Sequence, residues 1–293
     1  MKDEIICGTL KEYPVRFYIA TTTETVQTMN RIHDTTPVAA AAAGRILTAA
    51  AIMGAMMKNE QDFLTVTVKG DGEIGRVTAT ANAASEVKCE ILNPHTGVYF
   101  NEKGKLDVGK VVGSGTLCVI RDIGLKQPYV GQVELVSGEI AEDIAYYYVK
   151  SEQIPSVVAL GVFVRKDLTV VASGGYFIQL MPGCDESIIT YLEEKAASLP
   201  SVTSMMLEGC DAAEIANRIF CDYEYEVMKT NQARYVCNCS ESKIEKMLMA
   251  LGREELQSII DDGETIEVLC HFCNKKYLVT VEQIRELMTL SRE

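Results

Sequence analysis

The sequence predicts an α+β protein in three parts: a mixed antiparallel-sheet and helix domain over residues 1–180, an acidic helical connector over 181–233, and a small α+β unit over 234–293. Three observations predict it. Period-two hydrophobic runs alternate with two helical segments through the first part. The pattern changes at Met181-Pro-Gly183 to short capped helices. The last sixty residues carry Cys237-Asn-Cys239 and, thirty residues on, Cys270-His-Phe-Cys273.

In the first part, Val15–Ile19, Phe63–Lys69, Arg76–Ala81, Gly115–Arg121 and Gln132–Val136 alternate as strands do, with Asp-Gly and Gly-rich turns between them. Pro37–Met57 is alanine-rich and apolar on nearly every face. Thr36 as N-cap and Pro37 at the first helical position start it. It is long enough to span a bilayer, but Arg45 lies inside it and the Leu/Ile/Phe density that favours insertion is missing, so a helix buried in protein is expected, with no membrane partner. A second helix is expected near Glu139–Lys150, with Glu139, Glu142 and Asp143 on its solvated face.

In the connector, Asp185 caps a helix to about Ser198, Pro200 breaks it, and Asp211-Ala-Ala-Glu214 opens another in the manner of a capping box. Residues 183–233 hold three Lys/Arg against ten Asp/Glu. So acidic a segment, with only short helices, has little from which to build its own core. In the last part, Ser242 opens a helix that Gly252 ends, Arg253–Ile260 forms another, and Asp262-Gly263 turns into the strand Thr265–Leu269. The second cysteine pair occupies a hairpin tip, Tyr277–Thr280 returns, and Thr280 caps a final helix.

The four thiols in two tight pairs bind one metal ion or form two local disulfides. Zinc takes four sulfurs at about 2.3 Å in a closed tetrahedron, leaving no position for water or substrate, so Cys237, Cys239, Cys270 and Cys273 are expected to hold one structural zinc and no hydrolytic centre. As a disulfide, C-x-C closes a small strained ring, the reducible kind. A core of about sixty residues is marginal without a metal. The remaining cysteines, Cys7, Cys89, Cys118, Cys184, Cys210 and Cys221, show no ligand spacing and read as small buried hydrophobes; whether Cys184, Cys210 or Cys221 joins in redox chemistry stays open.

The chain of 293 residues has net charge −13 and no basic stripe, which argues against a nucleic-acid partner. Its N-terminus lacks a secretory pattern, so a reducing, cytoplasmic setting is expected. Gly70-Asp-Gly-Glu-Ile-Gly75 matches G-x-G-x-x-G but runs into a strand, where a dinucleotide site needs a helix N-terminus. Gly104–Lys110 approaches a phosphate loop, yet Val111 stands where Ser or Thr should be and extended chain is expected to follow. His33, His95 and His271 have no nucleophile or base at catalytic spacing, and His271 is expected to point to solvent. No catalytic residues are assigned and no enzyme is expected.

With these residues in hand the chain resembles the redox-regulated 33 kDa chaperonin (heat shock protein 33) family over essentially its whole length. The C-x-C…C-x-x-C signature is carried by Cys237, Cys239, Cys270 and Cys273. Core strings are Thr36-Pro-Val-Ala, Gly44-Arg-Ile-Leu-Thr-Ala-Ala50, Gly70-Asp-Gly72, Ser137-Gly-Glu-Ile-Ala-Glu-Asp-Ile-Ala-Tyr-Tyr147, Ser151-Glu-Gln-Ile-Pro-Ser156, Gly174-Gly175 and Met181-Pro-Gly183. The resemblance implies an ATP-independent holdase, inactive when reduced and zinc-bound. It implies that oxidation links Cys237 to Cys239 and Cys270 to Cys273, releases zinc, unfolds the C-terminal unit and loosens the connector, so that a form expected to be a homodimer holds unfolding client proteins. Asn274 departs from the family's usual glycine, and since Asn tolerates left-handed backbone the knuckle is expected to survive. The competing readings are a constitutive zinc ribbon binding RNA or protein, and an enzyme working in a cleft of the first domain.

Overall fold

Strand alternation sorts the apolar side chains of residues 1–236 into two cores on opposite faces of one sheet. The structure, a computed structural model, describes residues 2–290. The chain forms two compact units, one ending at Val236 and the other beginning at Cys237.

In chain order the first unit comprises β1 (Glu4–Leu10), β2 (Val15–Thr21), α1 (Thr23–His33), α2 (Pro37–Ala55), β3 (Phe63–Gly70), β4 (Arg76–Asn82), β5 (Glu86–Ile91), α3 (Val108–Val112), β6 (Gly115–Asp122), β7 (Tyr129–Glu134) and α4 (Ala141–Tyr147). A π-helical turn over Tyr148–Glu152 follows, then β8 (Ser156–Val164), β9 (Val170–Leu180), α5 (Glu186–Ser198), α6 (Val202–Leu207), α7 (Ala212–Ile219), β10 (Tyr225–Asn231) and β11 (Arg234–Tyr235). One sheet is ordered β10-β1-β2-β9-β8 and the other β11-β5-β4-β3-β6-β7. Every pairing is antiparallel except β11 with β5.

Helix α2 packs against β3, β4 and β5 of one sheet and β8 and β9 of the other. Among the described residues it is the one helix long and apolar enough to cross a membrane, and 94% of its apolar 18-residue window is buried inside the protein. Alanine makes this possible, because small side chains let two sheets approach a helix from several directions. In the five-stranded sheet, Ile5, Cys7, Ala20 and Phe177 face this α2 core, while Ile6, Phe17, Ile19, Tyr176 and Ile178 face the other way. On that second face lie Ile188 and Leu192 of α5, Met205 and Met206 of α6, and Ile215 and Ile219 of α7. Segment 181–233 therefore buries its apolar residues on the sheet, and β10 extends that sheet at its edge.

Three expectations are corrected here. The carboxylates near 139–143 are not a shared solvated face. Glu142 is exposed, but Asp143 is fully buried, and its oxygens accept backbone N–H bonds from Val136, Ser137, Gly138 and Ile140 at 2.7–3.3 Å. Glu139 accepts the Gly109 N–H and pairs with Arg45. A loop that turns sharply before a helix needs its inward N–H groups satisfied, and a carboxylate does this for several at once. Second, Asp107 caps helix α3 by accepting from the Lys110 N–H at 2.9 Å, so Gly104–Lys110 runs into a short helix. Third, Thr36 stands at the N-cap of α2 with Pro37 after it, as expected, but its hydroxyl bonds Thr96 at 3.0 Å and makes no capping bond to the helix. Gly70–Gly75 is the turn between β3 and β4, as expected.

The second unit comprises α8 (Glu241–Met249), α9 (Arg253–Asp262), the hairpin β12 (Ile266–Leu269) and β13 (Lys276–Val279), and α10 (Val281–Leu290). The cap of α8 is Ser240, two residues before the expected Ser242; its side chain accepts from the Lys243 N–H. Seven buried side chains form its core: Ile244, Leu248, Leu256, Tyr277, Val279, Ile284 and Leu287.

Candidate metal centre

Two short turns bring the cysteines together. Cys237 and Cys239 lie just before α8, where the Lys243 ammonium donates to the Asn238 carbonyl at 2.8 Å and fixes the loop between them. Cys270 and Cys273 sit between β12 and β13. The Cys270 N–H donates to the Lys275 carbonyl at 3.0 Å, and the Cys270 carbonyl accepts from the N–H groups of Cys273 at 3.2 Å and Asn274 at 2.8 Å. This knuckle needs a left-handed residue at its exit, and Asn274 supplies it at φ 56°.

All four Sγ atoms lie within 4.8 Å of one another. Cys237 and Cys270 are 3.7 Å apart, and Cys239 and Cys273 are 3.4 Å apart. Sulfurs on a tetrahedral ion at about 2.3 Å stand about 3.8 Å from each other, so the donor set fits a single soft metal ion. Cys239 and Cys270 also pack against the unit's core, which ties that core to the cluster. Every sulfur is near the other three, so proximity alone selects no disulfide pairing. His271 is exposed and stands outside the tetrad.

Sequence reasoning missed Tyr277. Its hydroxyl donates to Cys239 Sγ at 3.0 Å and brings that thiol down to about 7. Burial pushes Cys237 up and Cys273 up to about 12. The signal was present in the strand: alternation places Tyr277 and Val279 inward on β13, and a buried tyrosine hydroxyl requires a polar partner. The Lys275 ammonium lies over the Tyr277 ring, 4.7 Å from its centre.

The other six cysteines are not uniformly buried. Cys7, Cys89 and Cys210 are buried, and burial pushes Cys7 up to about 11. Cys118 and Cys184 are half-buried. Cys221 is exposed, which corrects its reading as a buried hydrophobe; the Lys195 ammonium approaches its sulfur at 2.9 Å and Asp222 lies 3.2 Å away. His33 is buried, with Nε2 3.0 Å from the Cys89 carbonyl oxygen, which makes it a satisfied core histidine.

A large α+β unit followed by a small one built round a four-thiol cluster defines a narrow class of protein, and comparison with known proteins places the chain within it. The family model described as Hsp33 protein matches residues 3–280. A 33 kDa chaperonin of Clostridium beijerinckii is 44% identical over 293 residues, covering all of both chains. One from Lachnoclostridium phytofermentans is 43% identical over 291 residues, 99% of this chain and 100% of the relative. The crystal structure of the 33 kDa chaperonin (heat shock protein 33 homolog) of Thermotoga maritima matches with a TM-score of 0.90 at 34% identity, covering 100% of this chain and 99% of that one. The chain belongs to the Hsp33 family of chaperones.

Proposed function

We propose that the protein is an ATP-independent holdase for unfolding proteins, silenced when its four cysteines are reduced and metal-bound and activated when they are oxidised. The observation that carries this is the tetrad itself, four sulfurs within 4.8 Å in a unit whose core cluster, among the described residues, joins seven buried side chains. Cys237, Cys239, Cys270 and Cys273 would hold one zinc per chain, and bound zinc would supply a closed clamp that stabilises the unit by on the order of 10 kcal/mol. No residue acts as a catalyst.

On oxidation, Cys237 and Cys239 form one disulfide and Cys270 and Cys273 the other. In each pair two thiolates give two electrons to one peroxide molecule, which takes up two protons and leaves as two waters. Sulfurs so joined are no longer thiolate ligands, and the small unit loses its main stabilisation. The domains of action are the 1–180 core, the 181–233 connector and the 234–293 switch. Freed from the sheet, the connector would offer clients Met205, Met206 and Ile215, now buried, beside Leu207, already half exposed. Its ten acids against three bases would keep such complexes soluble. The active form would be a homodimer in the cytoplasm, engaging neither nucleic acid nor membrane.

Metal analysis of the reduced protein tests the first step. One equivalent of zinc is expected, falling sharply in Cys239→Ser. Hydrogen exchange after peroxide treatment tests the second: protection should vanish beyond about residue 183 and persist before it. Zinc unchanged in Cys239→Ser, or uniform exchange along the chain, would overturn the switch.

A further inference from the structure

In the sheet order β10-β1-β2-β9-β8, strand β8 is an edge: among the described residues no strand pairs with it on the side away from β9. Long exposed edges are normally blunted, because they template pairing with another chain. This edge instead opens onto a groove of about 580 Å³.

The lining locates the groove. Seven consecutive residues, Leu160–Lys166, border it. A cavity on one face of a sheet would meet only alternate residues, since successive side chains point to opposite faces. Contact with every residue in turn places it along the strand's rim, beside the backbone. Val98 and Phe100 stand along it, as do Thr203 and Leu207 of the α6 segment. Phe100 is 65% and Leu207 52% exposed, values at which large apolar side chains await a partner.

Charge narrows the choice of occupant. The chain carries −13, yet no carboxylate lines this groove and four cations do: Arg45, Lys105, Arg165 and Lys166. Arg45 is engaged by Glu139, which leaves three cations to face an anionic guest.

We propose that the β8 edge groove binds an extended polypeptide by strand addition, with backbone N–H and C=O groups pairing along Leu160–Val164, apolar side chains against Phe100 and Leu207, and acidic residues near Lys105, Arg165 and Lys166. This rests on the chaperone reading and adds to it a first-contact site on the first unit, complete while α6 is docked in the reduced protein and too weak by itself to hold a client. Side chains of an added strand alternate between the groove's walls, which suits segments with alternating apolar residues. At about 3.3 Å per residue, Leu160–Lys166 accommodates roughly six or seven guest residues. At Gly161 the α6 segment comes close: a Cβ there would lie 2.8 Å from Thr203 Cγ2.

The test uses the full reduced chain and a fluorescent ten-residue peptide of alternating valine and serine ending in two aspartates. A second peptide carries N-methyl groups on alternate residues, which removes the pairing N–H groups and keeps the side chains. The first should bind, and the second should bind about ten-fold more weakly. Phe100→Ser and the pair Arg165→Glu with Lys166→Glu should each weaken binding about five- to ten-fold, the charge pair also flattening its salt dependence. These positions are exposed, and an unchanged melting curve controls for folding. Equal binding of both peptides would overturn strand addition, and indifference to all three substitutions would overturn the location. Absent binding together with a dimer that Phe100→Ser dissociates would assign the groove to a second copy and overturn the proposal. If client aggregation is suppressed while the peptide results fail, only this proposal falls; if no form suppresses aggregation, the chaperone reading falls instead.

Discussion

Asp143 is the residue whose replacement should cost the first unit most for a single polar group. Its carboxylate is fully buried and accepts four backbone N–H bonds: Oδ1 from Val136 at 2.7 Å, Ser137 at 3.0 Å and Gly138 at 3.3 Å, and Oδ2 from Ile140 at 2.8 Å. These bonds hold the sharp turn in which Ile140 adopts φ 73°, a conformation unfavourable for a branched side chain. In Asp143→Ala water can reach the donors of Val136 and Ser137, which are only partly buried, whereas those of Gly138 and Ile140 are buried and stay unsatisfied. Two stranded donors at about 1–3 kcal/mol each, with the lost charge-assisted bonds, give a destabilisation of about 4 kcal/mol. For a unit of this size that corresponds to a fall of roughly 10 °C in Tm. Asp143→Asn, which keeps one acceptor, should lose about half as much. Thermal and urea unfolding of the reduced protein, followed by circular dichroism, would measure it. A loss below about 1 kcal/mol for Asp143→Ala would refute the claim that this carboxylate organises the turn.

Two further outcomes are expected. Tyr277→Phe removes the hydroxyl that donates to Cys239 Sγ and should lower zinc affinity about ten-fold in competition with a chromophoric chelator; affinity equal to wild type would show that the hydroxyl does not support the site. Cys221 is the exposed thiol among the six outside the tetrad, so brief iodoacetamide treatment of the native protein followed by peptide mapping should label it ahead of Cys7, Cys89 and Cys210. Labelling of a buried thiol first would contradict the packing described.

Strands β2, β3, β4, β6 and β7 and helix α2 were legible in the sequence because alternation, proline and glycine act locally, whereas β1, β5, β8, β9, β10 and helix α1 were not read from it. Phe63–Lys69 and Arg76–Ala81 read as a hairpin from their own residues, and β3 and β4 realise it. The four cysteines were legible as one cluster because ligand spacing is a local signal too. What escaped depends on tertiary context. Asp143 reads as surface on a helical wheel, and only the chain arriving from Val136 makes it a buried acceptor. Cys221 looks like any small hydrophobe until α5 brings Lys195 to it. The acidity of segment 181–233 showed that it cannot support its own core, but gave no sign that its apolar residues dock on the face of the β1-β2-β9 sheet opposite α2. The β8 edge was likewise hidden, since strand order is a property of long-range pairing.

The most direct measurement of the central claim is light scattering of a heat-unfolded client mixed, without nucleotide, with this protein in three states: reduced with zinc, oxidised by peroxide at raised temperature, and oxidised then reduced again by dithiothreitol with zinc. The account predicts aggregation with the first, suppression with the second, and aggregation restored by fresh client added to the third. Equal protection by all three states would contradict the redox switch, and protection by none would contradict the chaperone itself.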